Sequence, residues 1–169
     1  MKLDIKRLGV NGEGIGFYYK KPVFVDRTIP EETVTVKPIL ETNTYIKAEL
    51  LTIERHSKDR VVPFCKYFEM CGGCDTQHMK YSSQLHYKKE HLVQSLYKYM
   101  DKKLDDRLID DMVGSRKENG YRNKAQLPIR EVKGQARFGL FRRNSNQVLT
   151  IHSCPVQHPL INKVMSQTV

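Results

Sequence analysis

The sequence predicts an α+β protein with mainly β content, in which a small barrel of five short strands precedes a helix and an antiparallel sheet. Three observations predict this class. Short β-rich runs separated by turn residues fill the first 53 residues, one stretch with helical spacing follows, and alternation of apolar and polar residues resumes after residue 120. A length of 169 residues suits one domain or two small ones and is too short for a large enzyme.

The barrel is predicted from five runs of strand-forming residues: Leu3–Leu8, Ile15–Tyr19, Val23–Val25, Thr33–Leu40 and Tyr45–Ile53. The glycines of Gly9–Gly16 resemble a phosphate-binding loop, but such a loop must open a helix, and Phe17–Val25 is strand-like. We therefore interpret these glycines as turn and bulge positions.

The second half of the chain is predicted to contain a helix and a strand meander. Apolar residues recur at helical spacing over Ser82–Met100, and alternation predicts strands within Tyr121–Ile129, Ala136–Arg142 and Val148–Ile151. The final segment, Pro159–Val169, begins like an amphipathic helix and stops without a capping residue, which we interpret as a truncated chain. We expect one domain over residues 1–54 and a second over 55–169.

The charge is strongly basic and unevenly distributed. Lysine and arginine number 29 against 19 acidic residues, giving a formal charge of +10 and an isoelectric point near 9.5. Nine basic and two acidic residues fall between positions 116 and 143, a local +7, whereas Asp101–Asp111 is an acidic span that we interpret as a solvated connection. No run is long and apolar enough for a membrane helix or a secretory signal, so we expect a cytoplasmic protein.

A concentrated positive charge attracts a polyanion, and nucleic acid is the leading candidate. The alternative is that long basic side chains only cover a solvated sheet face. Tyr121, Phe138 and Phe141 are interleaved with the arginines, and exposed rings beside guanidinium groups can stack on unpaired bases. The candidate RNA-binding residues are Tyr121, Arg122, Lys124, Arg137, Phe141, Arg142 and Arg143.

Four cysteines have the spacing of metal ligands. Cys65, Cys71 and Cys74 follow the pattern C-x5-C-x2-C around Gly72-Gly73, and Cys154, followed by proline, lies 80 positions further on. In a reducing cytosol four thiolates at uneven spacing favour a metal site over two disulfides, and either a [4Fe-4S] cluster or zinc suits this pattern. Four unrelated buried thiols are the remaining interpretation. His78 and His152 flank the cysteines and are not included as ligands.

These motifs together resemble those of the S-adenosylmethionine-dependent RNA (uracil-5-)methyltransferases, ribosomal-RNA branch. The resemblance rests on the cysteine pattern, on Gln77-His78, on Gln84 and Lys88, on Tyr121-Arg122-Asn123-Lys124 and on Cys154-Pro155. It spans essentially the whole chain. The sequence departs from the family at Lys66, where proline is frequent, and at Pro30-Glu31-Glu32, where the family often has Pro-Gly-Glu.

The resemblance implies a TRAM domain, which is a small OB-like RNA-binding barrel, followed by a central domain that binds a [4Fe-4S] cluster through Cys65, Cys71, Cys74 and Cys154. It also implies that Arg122, and with it Lys124, handles the RNA target. The nucleophile, the base and the S-adenosylmethionine site would belong to a methyltransferase domain outside this chain, which alone is expected to be inactive.

Two further interpretations remain open at this point. The chain could be a stand-alone, non-enzymatic RNA-binding protein with a four-cysteine zinc site, or a one-cluster electron carrier with an acidic partner. For the methyltransferase interpretation we expect a monomer whose partner is RNA, in particular ribosomal RNA.

Overall fold

The computed structural model describes residues 1–100 and 108–167. The predicted acidic connection Asp101–Asp111 and the predicted C-terminal helix therefore lie partly outside the described residues. The described elements are β1 (Lys2–Asp4), β2 (Arg7–Leu8), β3 (Gly14–Tyr18), β4 (Lys21–Val25), β5 (Thr33–Glu41), β6 (Ile46–Arg55), α1 (Tyr81–Tyr99), β7 (Ile129–Val132), β8 (Gln135–Phe141), β9 (Val148–Thr150) and α2 (Pro159–Gln167). This is the mixed, mainly β fold that the sequence predicts.

The chain divides into two compact units, each built from two separate segments. The first unit consists of Met1–Val62 with His78–Val113, and the second of Pro63–Gln77 with Gly114–Val169. Helix α1 thus groups with the N-terminal strands, and the three clustered cysteines group with the C-terminal sheet. The domain boundary expected after residue 54 stays a prediction.

The first unit is built on a six-stranded sheet in the order β1-β5-β6-β4-β3-β2. All neighbours are antiparallel except the parallel pair β4 and β6. The two edge strands are consecutive in the chain: Ile5 N–H donates to the carbonyl of Glu32 at 2.8 Å, and Lys6 N–H donates to that of Ile15 at 2.9 Å. The run Leu3–Leu8 therefore pairs first with β5 and then with β3, which closes the sheet on itself. Because this run forms two strands, the sheet has six strands and not the predicted five.

Apolar side chains on the inner face of this sheet form the core of the first unit: Leu3, Ile5, Val23, Val25, Val34, Val36, Ile46 and Ala48. Their period-two spacing follows from the pleat. Gly16 lies where a Cβ atom would come within 2.1 Å of the Leu3 side chain, and at Gly14 it would come within 2.0 Å of Thr28 Oγ1. These glycines allow strands to approach closely, and a strand rather than a helix follows them, in agreement with the sequence interpretation.

A buried ion pair holds the loop after β4 to the segment that follows β6. Glu32 is fully buried, and its Oε2 accepts hydrogen bonds from Arg60 Nη2 at 2.9 Å and from the Ile29 N–H at 3.0 Å. Arg60 Nη2 also donates to the carbonyl of Arg27 at 2.7 Å. His78, 1% exposed, lies near both arginines, and desolvation, followed by repulsion from Arg60 and Arg27, lowers its pKa to about 4. The His78 side chain is therefore neutral at physiological pH.

The second unit contains the three-stranded antiparallel sheet β7-β8-β9 and helix α2. Its core combines buried residues of β8 and β9, Cys71 from the segment before α1, and residues before and within α2: Cys71, Phe138, Leu149, Ile151, Cys154, Val156 and Met165. Gly139 is required because a Cβ atom there would lie 2.0 Å from the carbonyl oxygen of Leu149.

The first predicted strand of the meander, within Tyr121–Ile129, is displaced in the structure. Strand β7 covers Ile129–Val132, so the prediction overlaps it only at Ile129, and Arg122 instead pairs with the chain that leads into α2. Arg122 N–H donates to the carbonyl of Val156 at 2.9 Å, and the Arg122 carbonyl accepts from His158 N–H at 2.8 Å. Tertiary pairing here overrides the local alternation. Among the helices that the structure describes, none has the length and hydropathy needed to cross a bilayer.

Candidate metal centre and nucleic-acid interface

The four cysteines line a single pocket of the second unit. Cys65, Cys71 and Cys74 come from the segment before α1, and Cys154 comes from the turn before α2. Apolar side chains make up much of the remaining wall: Phe68, Leu140, Ile151 and Val156. The chain therefore brings together four sulfur atoms that are separated by up to 89 positions in sequence, in surroundings with few competing polar groups.

The cysteine loop, residues 65–74, is held against the end of β8. Gly72 N–H donates to the carbonyl of Phe141 at 3.0 Å, Arg143 N–H donates to that of Met70 at 3.0 Å, and Cys71 forms an isolated antiparallel bridge with Arg142. A Cβ atom at Gly72 would lie 3.3 Å from the Phe141 carbonyl oxygen, so a larger residue would require the loop or β8 to shift by a few tenths of an ångström.

Two more side chains position the cysteine segments. Arg143 Nη2 donates to the carbonyl of Cys74 at 2.8 Å and to Asp75 Oδ1 at 2.6 Å. Asn162, on α2, bonds the backbone of Cys154 through both ends of its amide. Sequence reasoning missed Asn162, because an asparagine eight positions after a cysteine has no recognised spacing signal.

The pocket disfavours thiolates through burial and favours them through nearby donors. Burial raises the pKa of the Cys65 and Cys74 thiols. At Cys74 this is opposed by a hydrogen bond from the Gln77 side chain and by the positive charge of Arg122. Gly73 N–H donates to Cys71 Sγ at 3.3 Å. Amide donors and a cation near sulfur are the surroundings that stabilise metal-bound thiolates.

Cysteine thiolates are ligands both of zinc and of iron-sulfur clusters. All four cysteines lie in the described part of the chain, and none forms a disulfide. Within residues 1–100 and 108–167, no group of three His, Cys, Asp or Glu side chains is arranged to hold a metal ion. The assignment of Cys65, Cys71, Cys74 and Cys154 as ligands stays a prediction.

The predicted RNA-binding residues fall into two groups by their surroundings. Arg143 is only 20% exposed and is hydrogen-bonded to the cysteine loop, so its guanidinium group has a structural role. Tyr121, Arg122 and Lys124 are exposed, and Arg122 also lines the cysteine pocket. Arg122 therefore belongs both to the lining of the cysteine pocket and to the basic surface of the second unit, which consists of Arg122, Lys124, Arg130, Arg137 and Arg142.

The outer face of the three-stranded sheet carries further basic residues. Arg130 and Arg137 are direct cross-strand partners on β7 and β8, so two like charges lie on the same face of the sheet. Phe141 lies on that face of β8 and is 45% exposed, next to the exposed Arg142, whereas Phe138 points into the core. A neighbouring pair of arginines is destabilising without an anion between them, which favours a phosphate-binding role for this face.

The fold is similar to that of a known RNA-modifying enzyme. The crystal structure of the Pyrococcus abyssi tRNA (uracil-54, C5)-methyltransferase in complex with S-adenosyl-L-homocysteine matches with a TM-score of 0.66 at 24% identity. The match covers 99% of this chain and 35% of that protein. At this identity the similarity establishes the fold.

The sequence relatives are named as RNA methyltransferases. An uncharacterized RNA methyltransferase of Enterococcus faecalis is 40% identical over all 169 residues. Those of Listeria monocytogenes and Streptococcus mutans are 39% identical over 163 residues and 37% identical over 165 residues, covering 96% and 98% of this chain. The chain spans 36 to 37% of the length of these relatives. No family model matches it.

Proposed function

We propose that this chain is the RNA-binding, cluster-bearing part of an S-adenosylmethionine-dependent RNA (uracil-5-)methyltransferase. The observation that carries the proposal is the similarity over the full 169 residues to proteins named RNA methyltransferases. The basic surface and the four-cysteine pocket support it from the structure, since both lie in the second unit and share Arg122.

Transfer of a methyl group to C5 of uracil requires a nucleophile that adds to C6, a methyl sulfonium donor and a base that removes the C5 proton. The four cysteines are committed to the cluster in this proposal, so none is available as the nucleophile. Methylation then depends on a nucleophile, a base and a donor site that these 169 residues do not supply. In this proposal the 169-residue chain alone is inactive. Its own task is to bind the RNA and to present an unpaired base.

The proposed ligands are Cys65, Cys71, Cys74 and Cys154, and the group they hold is a [4Fe-4S] cluster. Four protein ligands leave no open iron corner, which suits a structural role that joins the cysteine loop to the turn before α2. Exposed residues next to this pocket, Tyr121, Arg122 and Lys124, bind the RNA together with Arg137, Phe141 and Arg142. Arg143 stabilises the cysteine loop through its hydrogen bonds to Cys74 and Asp75.

Metal content distinguishes this proposal from a stand-alone zinc protein. The anaerobically purified protein is expected to absorb at about 400 nm and to contain about four iron atoms per chain. Cys154→Ser is expected to lose iron and to melt at a lower temperature. A colourless protein with one zinc supports the alternative, and iron content unchanged by Cys154→Ser contradicts the ligand assignment.

RNA binding is tested by salt titration. Replacing Arg130, Arg137 and Arg142 by glutamine is expected to reduce the slope of log affinity against log salt by about 2, since each phosphate contact with a single strand contributes about 0.7. Exposed lysines outside this surface provide the matched control, Lys58, Lys88 and Lys163, whose replacement by glutamine is expected to leave the slope unchanged. If the two triple variants show the same slope of log affinity against log salt, Arg130, Arg137 and Arg142 do not bind the RNA phosphates.

The target RNA is proposed to be ribosomal, recognised by a monomer in the cytoplasm. The similar solved structure is of a tRNA enzyme, so the target class needs a direct comparison. Methyl transfer by the complete protein to 23S ribosomal RNA and to unmodified tRNA, each from a strain that lacks the gene, decides between them. Methylation of tRNA alone contradicts the ribosomal assignment and leaves the uracil-5 chemistry in place.

A further inference from the structure

The hairpin between β3 and β4 ends in a two-residue loop with an unusual backbone. Tyr18 and Lys21 are the last register partners, so Tyr19 and Lys20 form the loop. Both loop residues have positive φ, 44° and 67°. Hairpin loops of this kind favour Asn-Gly, because the left-handed region is strained for residues with a bulky side chain. Tyrosine at the first position is therefore a poor choice for the turn alone.

The loop presents the Tyr19 ring to solvent. Tyr19 is 87% exposed, and its ring meets that of Tyr18 edge-on, with centroids 4.6 Å apart and planes at 73°. Burial in the core thus does not offset the backbone strain. Residues held in unfavourable backbone conformations are concentrated at functional sites, where the conformation places a group for binding.

The charges around this loop favour an anionic ligand. Lys20, which follows Tyr19 in the loop, is exposed. Lys21 neutralises the nearby acidic residue, because its Nζ lies 2.7 Å from Glu41 Oε1, and it also donates to the carbonyl of Thr42 at 3.0 Å. The tip of the hairpin therefore combines an exposed aromatic face with a positive charge.

We propose that Tyr19, supported by Tyr18, stacks on an unpaired base of the bound RNA, while Lys20 contacts an adjacent phosphate. This inference rests on the proposed function, since it assumes an RNA ligand. Proteins bind single-stranded RNA by stacking bases on aromatic rings flanked by cations, and a paired base in a duplex does not offer its face. The hairpin tip is a second contact with the RNA, in the first unit of the chain.

Binding is measured by fluorescence anisotropy with a single-stranded oligouridylate and with a blunt RNA duplex of the same length. Tyr19→Asn is expected to weaken binding of the single strand about tenfold and to leave duplex binding unchanged. Tyr19→Phe keeps the ring and is expected to bind within about twofold of the original chain. Tyr99→Asn is the matched control, because Tyr99 is also highly exposed, at 79%.

Stability separates a binding role from a structural role. Asparagine tolerates positive φ, so Tyr19→Asn is expected to raise the melting temperature by about 3 °C while it weakens RNA binding. The chain contains no tryptophan, so Tyr19→Trp introduces one indole, whose fluorescence is expected to fall when the single strand stacks on it.

The outcomes distinguish this inference from the proposed function. If Tyr19→Asn binds the single strand as tightly as the unsubstituted chain does, and the affinity of the unsubstituted chain falls with salt as proposed above, the stacking inference is overturned and the proposed function is not. The same loss for duplex and single strand, or an unquenched indole in Tyr19→Trp, also overturns it. An original chain that binds neither RNA overturns both proposals.

Discussion

Asn162 bonds the backbone of Cys154 on both sides. Its Oδ1 accepts the Cys154 N–H at 2.8 Å, and its Nδ2 donates to the Cys154 carbonyl at 3.0 Å. The same carbonyl accepts Gln157 N–H at 3.0 Å, which closes the turn before α2. Helix α2 thereby determines where the fourth cysteine lies relative to the other three.

Replacing Asn162 by alanine is expected to lower iron content well below that of the original chain, because the Cys154 backbone loses both amide contacts. Without iron, the same variant should lose about 2 kcal/mol of unfolding free energy, at about 1 kcal/mol for each hydrogen bond. Iron analysis and denaturant titration of chelator-treated protein measure the two effects. The exposed Asn146→Ala provides the control, and equal iron content in both variants would rule out a positioning role for Asn162.

The buried ion pair of the first unit predicts an asymmetric response to mutation. Arg60→Met leaves the Glu32 carboxylate buried without its cation and is expected to cost about 3–5 kcal/mol of unfolding free energy. Adding Glu32→Gln removes the charge and should recover part of that loss. Arg55→Met is the control, since the Arg55 side chain is 67% exposed and 3.8 Å from Asp4. Denaturant melts measure all three, and a double variant less stable than Arg60→Met contradicts this account.

Burial of neutral His78 predicts acid sensitivity. Its pKa falls from 6.5 to about 4 on folding, so between these pH values the unfolded chain binds one more proton than the native state. The free energy of unfolding therefore decreases as the pH falls, by about 2 kcal/mol between pH 7 and pH 5. Arg60 and Arg27 maintain this shift, and Glu32 opposes it.

His78→Gln is expected to flatten that part of the pH dependence, whatever its effect on stability at pH 7. His86→Gln, at an exposed position of α1, should keep the original dependence. Thermal melts from pH 7 to pH 5 provide the measurement. Parallel curves for His78→Gln and the original chain would assign the acid sensitivity to other groups.

Glu31 occupies a backbone conformation suited to glycine. Its φ is 71°, its side chain is exposed, and its N–H donates to the carbonyl of Ile5 at 3.0 Å. Glu31→Gly keeps that hydrogen bond and removes the strain, so we expect a gain of about 1 kcal/mol in unfolding free energy. Glu49→Gly, in the middle of β6, should instead destabilise. A destabilised Glu31→Gly, measured by denaturant titration, contradicts the strain argument.

Local pattern predicts much of the fold. Helix α1 is predicted over Ser82–Met100 and found over Tyr81–Tyr99, since its apolar spacing is long and regular. The split of the first run into β1 and β2 depends on a change of partner at Ile5, which alternation cannot reveal. Pairing of Arg122 with Gln157 likewise depends on residues 35 positions away.

The sequence likewise predicts only part of the candidate site, because long-range contacts determine the rest. Cys65, Cys71, Cys74 and Cys154 line one pocket, and their role as metal ligands stays a prediction. Charge patterning cannot separate an arginine that faces solvent from one that supports a loop, so Arg143 is grouped with the exposed cations in the sequence. Burial of Glu32 with Arg60 is also hidden, because each is an ordinary surface residue type.

The divided second unit has a consequence for synthesis on the ribosome. Cys74 leaves the exit tunnel 80 residues before Cys154, an interval of about 4–16 s at synthesis rates of about 5–20 residues per second. During that time three thiols are available to oxidants, and β8, which pairs with their loop, emerges only after about 60 further residues. Production of intact protein should therefore respond to oxidative stress during translation more than after it.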